Sequence, residues 1–357
     1  MESEIIRQAL EKWHRLQPLP PREQELLSRR FIVDFNYNSN HIEGNTLTYG
    51  QTELLLMFGK VVGEAEMKDL AEMTASNVGL KMMTQEAGLK KMPLTQHFIR
   101  TLHKTLLRED YQVYRNLPGG VTTSYTIHAG QYKTRPNSVV TRYGDRFEYA
   151  SPEETPALMT DLVDWYNAAE QEKILSPSEL AALFHYRYIR IHPFEDGNGR
   201  IARLIVNYIL ARHDYPMIVV RSRKKNEYLE ALHKTDLVVG PVPSDGAHAS
   251  IKRIYHFLSY FQKLIAAEIN YNIDFVTLRG DNVWWFDGEQ VKFRSHSTSQ
   301  LLWLLIRTPS ITISQLSIAL GINIAAVNKQ LKRLTTLGYI TRAPNDGNWQ
   351  VVITPSV

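Results

Sequence analysis

None of the 357 residues is cysteine. That absence excludes disulfides, thiolate zinc sites and a cysteine nucleophile, and it fits a reducing cytosol. Stability must therefore come from packing. No stretch approaches the roughly 18 consecutive apolar residues that span a bilayer. The opening Met1-Glu2-Ser3-Glu4 is acidic and meets no apolar signal segment, so a cytoplasmic chain with no membrane partner is expected. Internal repeats and low-complexity tracts are also lacking, which sets aside solenoid and linker architectures. Charge of one sign is scarce, with a net formal charge of only +4. It is unevenly placed: from Thr298 onward five basic residues (Arg307, Lys329, Lys332, Arg333, Arg342) face one acid, Asp346, so the rest is about neutral.

What is present is ordinary for a globular protein, 43% hydrophobic and 22% charged residues. The length exceeds what one core usually serves, so two or more modules are expected. Apolar residues recur at helical spacing over residues 22–37 and 51–58, with residues 39–45 between them as a short polar piece. Further helices are expected near 64–87, 94–107, 153–168, 225–235 and 249–271. Residues 116–152 turn to Gly, Pro, Thr and Tyr, and within them residues 138–141 and 147–149 flank Tyr143-Gly144-Asp145 as a hairpin. Ser176-Pro177-Ser178-Glu179 supplies an N-cap, a first-turn proline and an N3 glutamate, opening a helix to about Ile189. A second helix is predicted over 198–213, with Ile201, Leu204, Ile205, Tyr208 and Ile209 on one apolar stripe. These features divide the chain into an N-terminal helical region (1–110), a core carrying the hairpin (111–271), a linker (272–297) and a small tail domain (298–357).

The two central helices are joined by His192-Pro193-Phe194-Glu195-Asp196-Gly197-Asn198-Gly199-Arg200-Ile201-Ala202-Arg203. Proline stops the first helix, and two glycines let the backbone approach a ligand closely where the second begins. Amides at a helix start, reinforced by the helix dipole, favour an anion. Arg200 and Arg203, three apart, are spaced to grip neighbouring phosphates. Asp196 offers the hard oxygen that Mg²⁺ takes beside phosphate oxygens, and His192 is placed to act as a general base. Phe194 reads as a core anchor for the loop and Glu195 as a solvent-facing acid.

This run resembles the signature of the Fic family, His-Pro-Phe-x-(Asp/Glu)-Gly-Asn-Gly-Arg-x-x-Arg, without departure. The resemblance implies a mainly helical Fic-type domain with a β-hairpin flap. It also implies transfer of AMP from ATP to a Ser, Thr or Tyr hydroxyl of a target protein, or of the chain itself, with release of pyrophosphate. His192 would deprotonate that hydroxyl. Asp196 would hold Mg²⁺ between the α- and β-phosphates, Asn198 and the Gly197 and Gly199 amides would line the anion hole, and Arg200 and Arg203 would contact phosphates. Ser138, Val139 and Val140 resemble the flap over the nucleotide site, which aligns the target by strand-type pairing. Tyr228, Leu229 and Leu232 lie where the family forms its adenine pocket.

Upstream, Ser39-Asn40-His41-Ile42-Glu43-Gly44 resembles the family's inhibitory motif, (Ser/Thr)-x-x-x-Glu-(Gly/Asn). By that resemblance Glu43 pairs with Arg203 and competes with the γ-phosphate. Breaking a desolvated pair typically costs ~3–5 kcal/mol, so the brake is also expected to hold the domain together.

In the tail, residues 313–320, Gly321 and residues 323–337 have helix-turn-helix spacing. Ile324, Val327, Leu331 and Leu334 form its buried stripe, and Asn328, Lys329, Lys332 and Arg333 face outward. A strand pair around Asn345-Asp346-Gly347 completes what resembles a small winged-helix (α+β) domain. Such modules bind DNA, dock proteins or form homodimers. Three other functions stay open: a DNA-binding regulator whose Fic domain senses nucleotide, removal of AMP with Glu43 positioning a water, and transfer of UMP or another phosphate-linked group, since the phosphate cradle says little about the base.

Overall fold

A computed structural model of the chain describes residues 2–61, 63–116, 122–140, 144, 146–278, 282–342 and 347–355. In chain order the helices and strands are α1 (Glu4–Arg15), α2 (Pro21–Ile42), α3 (Tyr49–Phe58), α4 (Met67–Gly88), α5 (Gln96–Leu107), β1 (Tyr111–Asn116), β2 (Thr122–Ile127), β3 (Ser138–Val140) and β4 (Arg146–Glu148). There follow α6 (Thr155–Glu172), α7 (Pro177–Ile191), α8 (Asn198–Arg212), α9 (Lys225–Val239), α10 (Pro243–Ala247), α11 (Tyr255–Thr277), β5 (Val283–Phe286) and β6 (Glu289–Lys292). The chain ends in α12 (His296–Arg307), α13 (Ile313–Leu320), α14 (Ile324–Thr336), β7 (Ile340–Arg342), β8 (Trp349–Val351) and β9 (Thr354–Pro355). The class is mainly helical, and no helix among the described residues is long and apolar enough to cross a membrane.

The chain forms two compact units. The first gathers Met1–Lys12, Asn38–Gly44 and Ala75–Ile269; the second gathers Trp13–Tyr37, Asn45–Thr74 and Asn270–Val357. The first unit is built around α7 and α8, with α6 and α10 against α7 and α5 against α8. α8 is enclosed on nearly every side, not along one stripe: Arg200, Arg203 and Asn207 are as buried as Ile201 and Ile205. A helix buried all round marks the centre of a unit. The start of α7 is fixed by the expected capping box, with Ser176 accepting from the Glu179 amide and Glu179 accepting from that of Ser176. Two antiparallel hairpins belong to this unit. β3 pairs with β4 in the register Ser138↔Glu148, Val139↔Phe147, Val140↔Arg146, and the turn residues Tyr143 and Asp145 lie outside the described residues. The β1–β2 hairpin, in the register Tyr111↔Ile127, was not legible as strand.

The second unit differs from the expected division. Residues 272–297 are not a linker: α11 runs on to Thr277, and β5 is the centre strand of a β6–β5–β9 sheet. Trp284, on β5, is fully buried with Leu301, Leu302, Leu316, Val327 and Leu331. Its neighbour Trp285 points to the other face and packs with Phe275, Val276 and Leu26. Nor is the N-terminal region a unit of its own, because Val33 and Tyr49 pack with Val352. Arg30 lies 3.9 Å from the ring centres of both Tyr271 and Phe275 and donates to Asn272 at 2.9 Å. The helix-turn-helix of α13 and α14 turns at Gly321 (φ 63°), and β7 pairs with β8 as Ile340↔Val351; Asn345 and Asp346 of its turn lie outside the described residues. Ile324 is half exposed and not on the buried stripe, since it occupies the first turn, before Val327 reaches the core.

Because α7 carries the loop of the candidate site, its cap is a sensitive point. Ser176→Ala is expected to lower stability by about 1 kcal/mol, read as a lower urea midpoint; an unchanged midpoint would show that the cap contributes nothing.

Candidate active site

α7 ends where His192 adopts φ 51° and ψ 60°, the left-handed conformation that terminates helices, with its amide donating to the Tyr188 carbonyl at 2.9 Å. The chain then turns through Pro193 and Phe194 and starts α8 from Gly197, whose φ of 76° suits glycine. Asn198 closes the turn on itself: its side chain accepts from the Phe194 amide at 3.0 Å and donates to the Phe194 carbonyl at 2.7 Å. The Asn198 side chain is thus committed to the loop, which leaves the amides at the start of α8 as the loop's anion donors. Phe194 is fully buried and stacks on His103 with ring centres 3.7 Å apart. Glu195 is not simply solvated, for its Oε1 accepts from the amide and hydroxyl of Thr134.

Asp196 stands at the mouth of α8 with 45% of its side chain exposed. It accepts from the Tyr111 hydroxyl at 2.8 Å, from the Gly197 amide at 2.7 Å and from Arg200 at 3.4 Å. Burial pushes its carboxyl up, but the Arg200 guanidinium, Tyr111 and Gly197 outweigh that and hold it below the usual range. Arg200 and Arg203 are both buried. Burial, then the nearby Lys133 ammonium, pulls the His192 imidazole down to about 3. His103 is pulled down to about 4 by burial. Its Nδ1 accepts from the Gly130 amide at 2.8 Å, so Nε2 carries the proton and donates to the Asp196 carbonyl at 3.0 Å.

Ser39 lies in the last turns of α2, not in a loop, and with Glu43 it converges on Arg203. The guanidinium donates to the Ser39 hydroxyl at 3.0 Å, the Ser39 carbonyl at 2.8 Å and Glu43 Oε1 at 2.6 Å. Glu43 Oε1 also lies over Gly199: a Cβ built there would come within 2.4 Å of it. The carboxylate therefore occupies the start of α8 where an anion belongs. Two contacts that sequence reasoning missed hold this segment: Asn38 Oδ1 accepts from the Ser222 amide at 2.7 Å, and Lys225 donates to the Ile42 carbonyl at 2.6 Å. Arg203 is buried but Glu43 keeps 39% of its side chain exposed. Water screening therefore makes the pair weaker than the desolvated case.

The remaining residues fall unevenly. Ser138 opens β3, whereas the side chains of Val139 and Val140 lie outside the described residues. Tyr149, just after β4, stacks on the His192 ring at 3.9 Å and 13°; nothing in its sequence context marks it. Tyr228 and Leu232 are buried on one face of α9, and Tyr228 meets His185 Nε2 at 2.9 Å. Leu229, one residue on, is turned outward with 43% exposed.

Residues 93–210 match the Fic/DOC family. A Fic domain containing signaling protein from Bacteroides thetaiotaomicron is 53% identical, with a TM-score of 0.70 over 76% of this chain and 96% of that one. The chain belongs to the Fic family. Residues 294–341 match the winged helix-turn-helix DNA-binding family, in keeping with α12 to α14 and the β7–β8 pair. A Fic family protein from Desulfovibrio desulfuricans, 18% identical, shares the fold with a TM-score of 0.57 over 98% of this chain and 97% of that one. Among curated relatives, protein adenylyltransferase fic-1 of Caenorhabditis elegans is 30% identical over 56% of this chain. Protein adenylyltransferase Fic of Nematostella vectensis is likewise 30% identical over 56% of it. The match spans only 36% and 42% of the length of those two relatives.

The imidazole state gives a check. A free histidine titrates near 6.5; with the folded value held at about 3, the neutral form persists as pH falls. The His192 ring resonances are expected to stay unshifted between about pH 7.5 and 5. A midpoint near 6.5 would contradict the burial.

Proposed function

We propose that this Fic chain is an autoinhibited protein adenylyltransferase. The observation that carries the reading is the meeting, in one turn between α7 and α8, of the His192 imidazole, two buried guanidinium groups and a carboxylate that occupies one of them. In the reaction the target Ser, Thr or Tyr oxygen attacks the α-phosphorus of ATP. The bond to the bridging oxygen breaks, pyrophosphate leaves, and the hydroxyl proton passes to His192. The α8 amides and Arg200 and Arg203 steady the growing charge. The names of the curated relatives, protein adenylyltransferases, support this choice.

Asp196 suits Mg²⁺. Its carboxylate is ionised and partly open to solvent, and no cluster of three or more acidic or histidine ligands forms an all-protein cage among the described residues. Mg²⁺ takes one or two carboxylates and completes its shell with phosphate oxygens and water. When bound it would neutralise charge on the departing pyrophosphate. Tyr228 and Leu232 would wall the adenine, and Leu229 would sit outside. β3 would pair with the target backbone as an added strand.

Glu43 is the brake in this reading, because it holds Arg203 and lies where the γ-phosphate would go. Glu43→Gly should raise incorporation from α-labelled ATP into the chain itself. His192→Ala in that background should lower it by roughly 10²–10⁴. An unchanged rate in Glu43→Gly would remove the brake.

A second reading concerns the tail alone. Asn328, Lys329, Lys332 and Arg333 are exposed on α14, as a helix that enters a DNA groove requires. The full chain is expected to shift duplex DNA at low salt and release it as salt rises, with Lys329→Ala plus Lys332→Ala weakening the shift. No shift at low salt would leave protein docking as the role of α14.

A further inference from the structure

The carbonyls of the catalytic loop are held by a pair of residues that lie far from it in sequence. Lys133 is buried, and its ammonium donates to the Ile191 carbonyl at 3.0 Å, the His192 carbonyl at 2.9 Å and Asn137 Oδ1 at 2.9 Å. Those three acceptors use all three of its protons. Its own backbone amide donates to the Pro193 carbonyl at 2.9 Å. Asn137 in turn donates to the Phe194 carbonyl at 2.9 Å and the His192 carbonyl at 3.4 Å. Every carbonyl from residue 191 to 194 therefore accepts from residue 133 or 137, and that of Phe194 from Asn198 as well.

These two residues end at the flap. Asn137 directly precedes β3, and Tyr149, directly after β4, carries the ring stacked on His192. The hairpin thus has two feet, one on the His192 carbonyl and one on its imidazole. A lysine within a Gly- and Pro-rich loop would ordinarily keep its ammonium in water. Desolvating it here is costly, and burial pulls it down to about 7. The negative end of the α7 dipole, together with the carbonyls it binds, makes that position tolerable.

We propose that Lys133 and Asn137 are positioning residues for His192, holding the base and the first flap strand as one element so that a target seated on the flap meets an aligned imidazole. This rests on the adenylyl-transfer reading. The clamp grips residues 191–194, whereas the anion-binding amides follow Gly197 and belong to the first turn of α8. Loss of the clamp should therefore slow transfer without weakening nucleotide binding.

The test uses the full chain in the Glu43→Gly background, with Lys133→Met and Asn137→Ala each added. The rate constant of self-modification at saturating magnesium ATP should fall by about 10²-fold, the usual effect of misplacing a reacting group. The Kd of magnesium ATP, from calorimetry, should move by less than about 3-fold. The ring protons of His192 should lose part of the upfield shift that the Tyr149 ring imposes. On the other foot, Tyr149→Leu should reproduce the slow rate and Tyr149→Phe, which keeps the stack, should restore it. A rate that is unchanged in Lys133→Met and Asn137→Ala overturns the proposal. So does a parallel loss of rate, nucleotide binding and thermal stability, which would mark a merely structural role. If Glu43→Gly itself transfers no AMP, it is the adenylyl-transfer reading that fails. The ring-proton shifts then decide the clamp alone: a His192 signal indifferent to Lys133→Met overturns it.

Discussion

A helix that begins inside a protein leaves its first amides without intrahelical acceptors, and α8 begins at Asn198 in the middle of the first unit with two guanidinium groups on its opening turns. That concentration of positive potential needs an anion. In this chain one is supplied internally: Glu43 reaches Arg203 at 2.6 Å and lies against Gly199. The last turns of α2 are shaped for delivering that carboxylate, through Asn38 on Ser222 and Lys225 on the Ile42 carbonyl. The arrangement is graded in strength. A fully desolvated ion pair would cost several kcal/mol to break, while a carboxylate with 39% of its surface in water is screened. The Glu43–Arg203 contact is thus firm in geometry and moderate in energy.

What could be read from the sequence were the parts that are contiguous. The run from His192 to Arg203 gathers its polar groups in twelve neighbouring positions, and Ser39 and Glu43 lie four apart across the end of α2. The residues that support them are scattered. His103 is on α5 among Ile99, Leu102 and Leu106, and a lone polar side chain on a buried face was a usable signal. Lys133, Asn137 and Tyr149 gave none, since a lysine and an asparagine in a turn-rich segment look solvated until the fold turns them inward. Helical geometry already separated Leu229 from Tyr228 and Leu232: positions i and i+4 share a face and i+1 lies about 100° away. The β1–β2 ribbon escaped because β2 runs exposed for three residues before burying Ile127, with no apolar alternation to mark it.

The supposed linker shows how punctuation misleads. Gly and Asp around Trp284-Trp285-Phe286 read as a boundary, yet a strand presents alternate residues to opposite sides. Trp284 serves the core of α12, α13 and α14, and Trp285 serves the end of α11. A short segment with two large apolar faces can thus join two clusters, and local composition does not report it. The second unit accordingly draws on residues 13–37 and 45–74 as well as the tail: the helix-turn-helix has its own core, and Trp285 and Val352 join the N-terminal residues to its edge.

The loop that opens at His192 also carries a local cost. A residue other than glycine in the left-handed region gives up about 1–2 kcal/mol, and His192 stands there at φ 51°. That conformation ends α7 within a single residue, which no right-handed continuation would do. Hydrogen bonds to its amide and carbonyl and the aromatic stack on its ring offset the strain. Glycine would relieve the backbone but remove the imidazole. The strain is therefore the consequence of ending a helix on a residue that also carries a side chain.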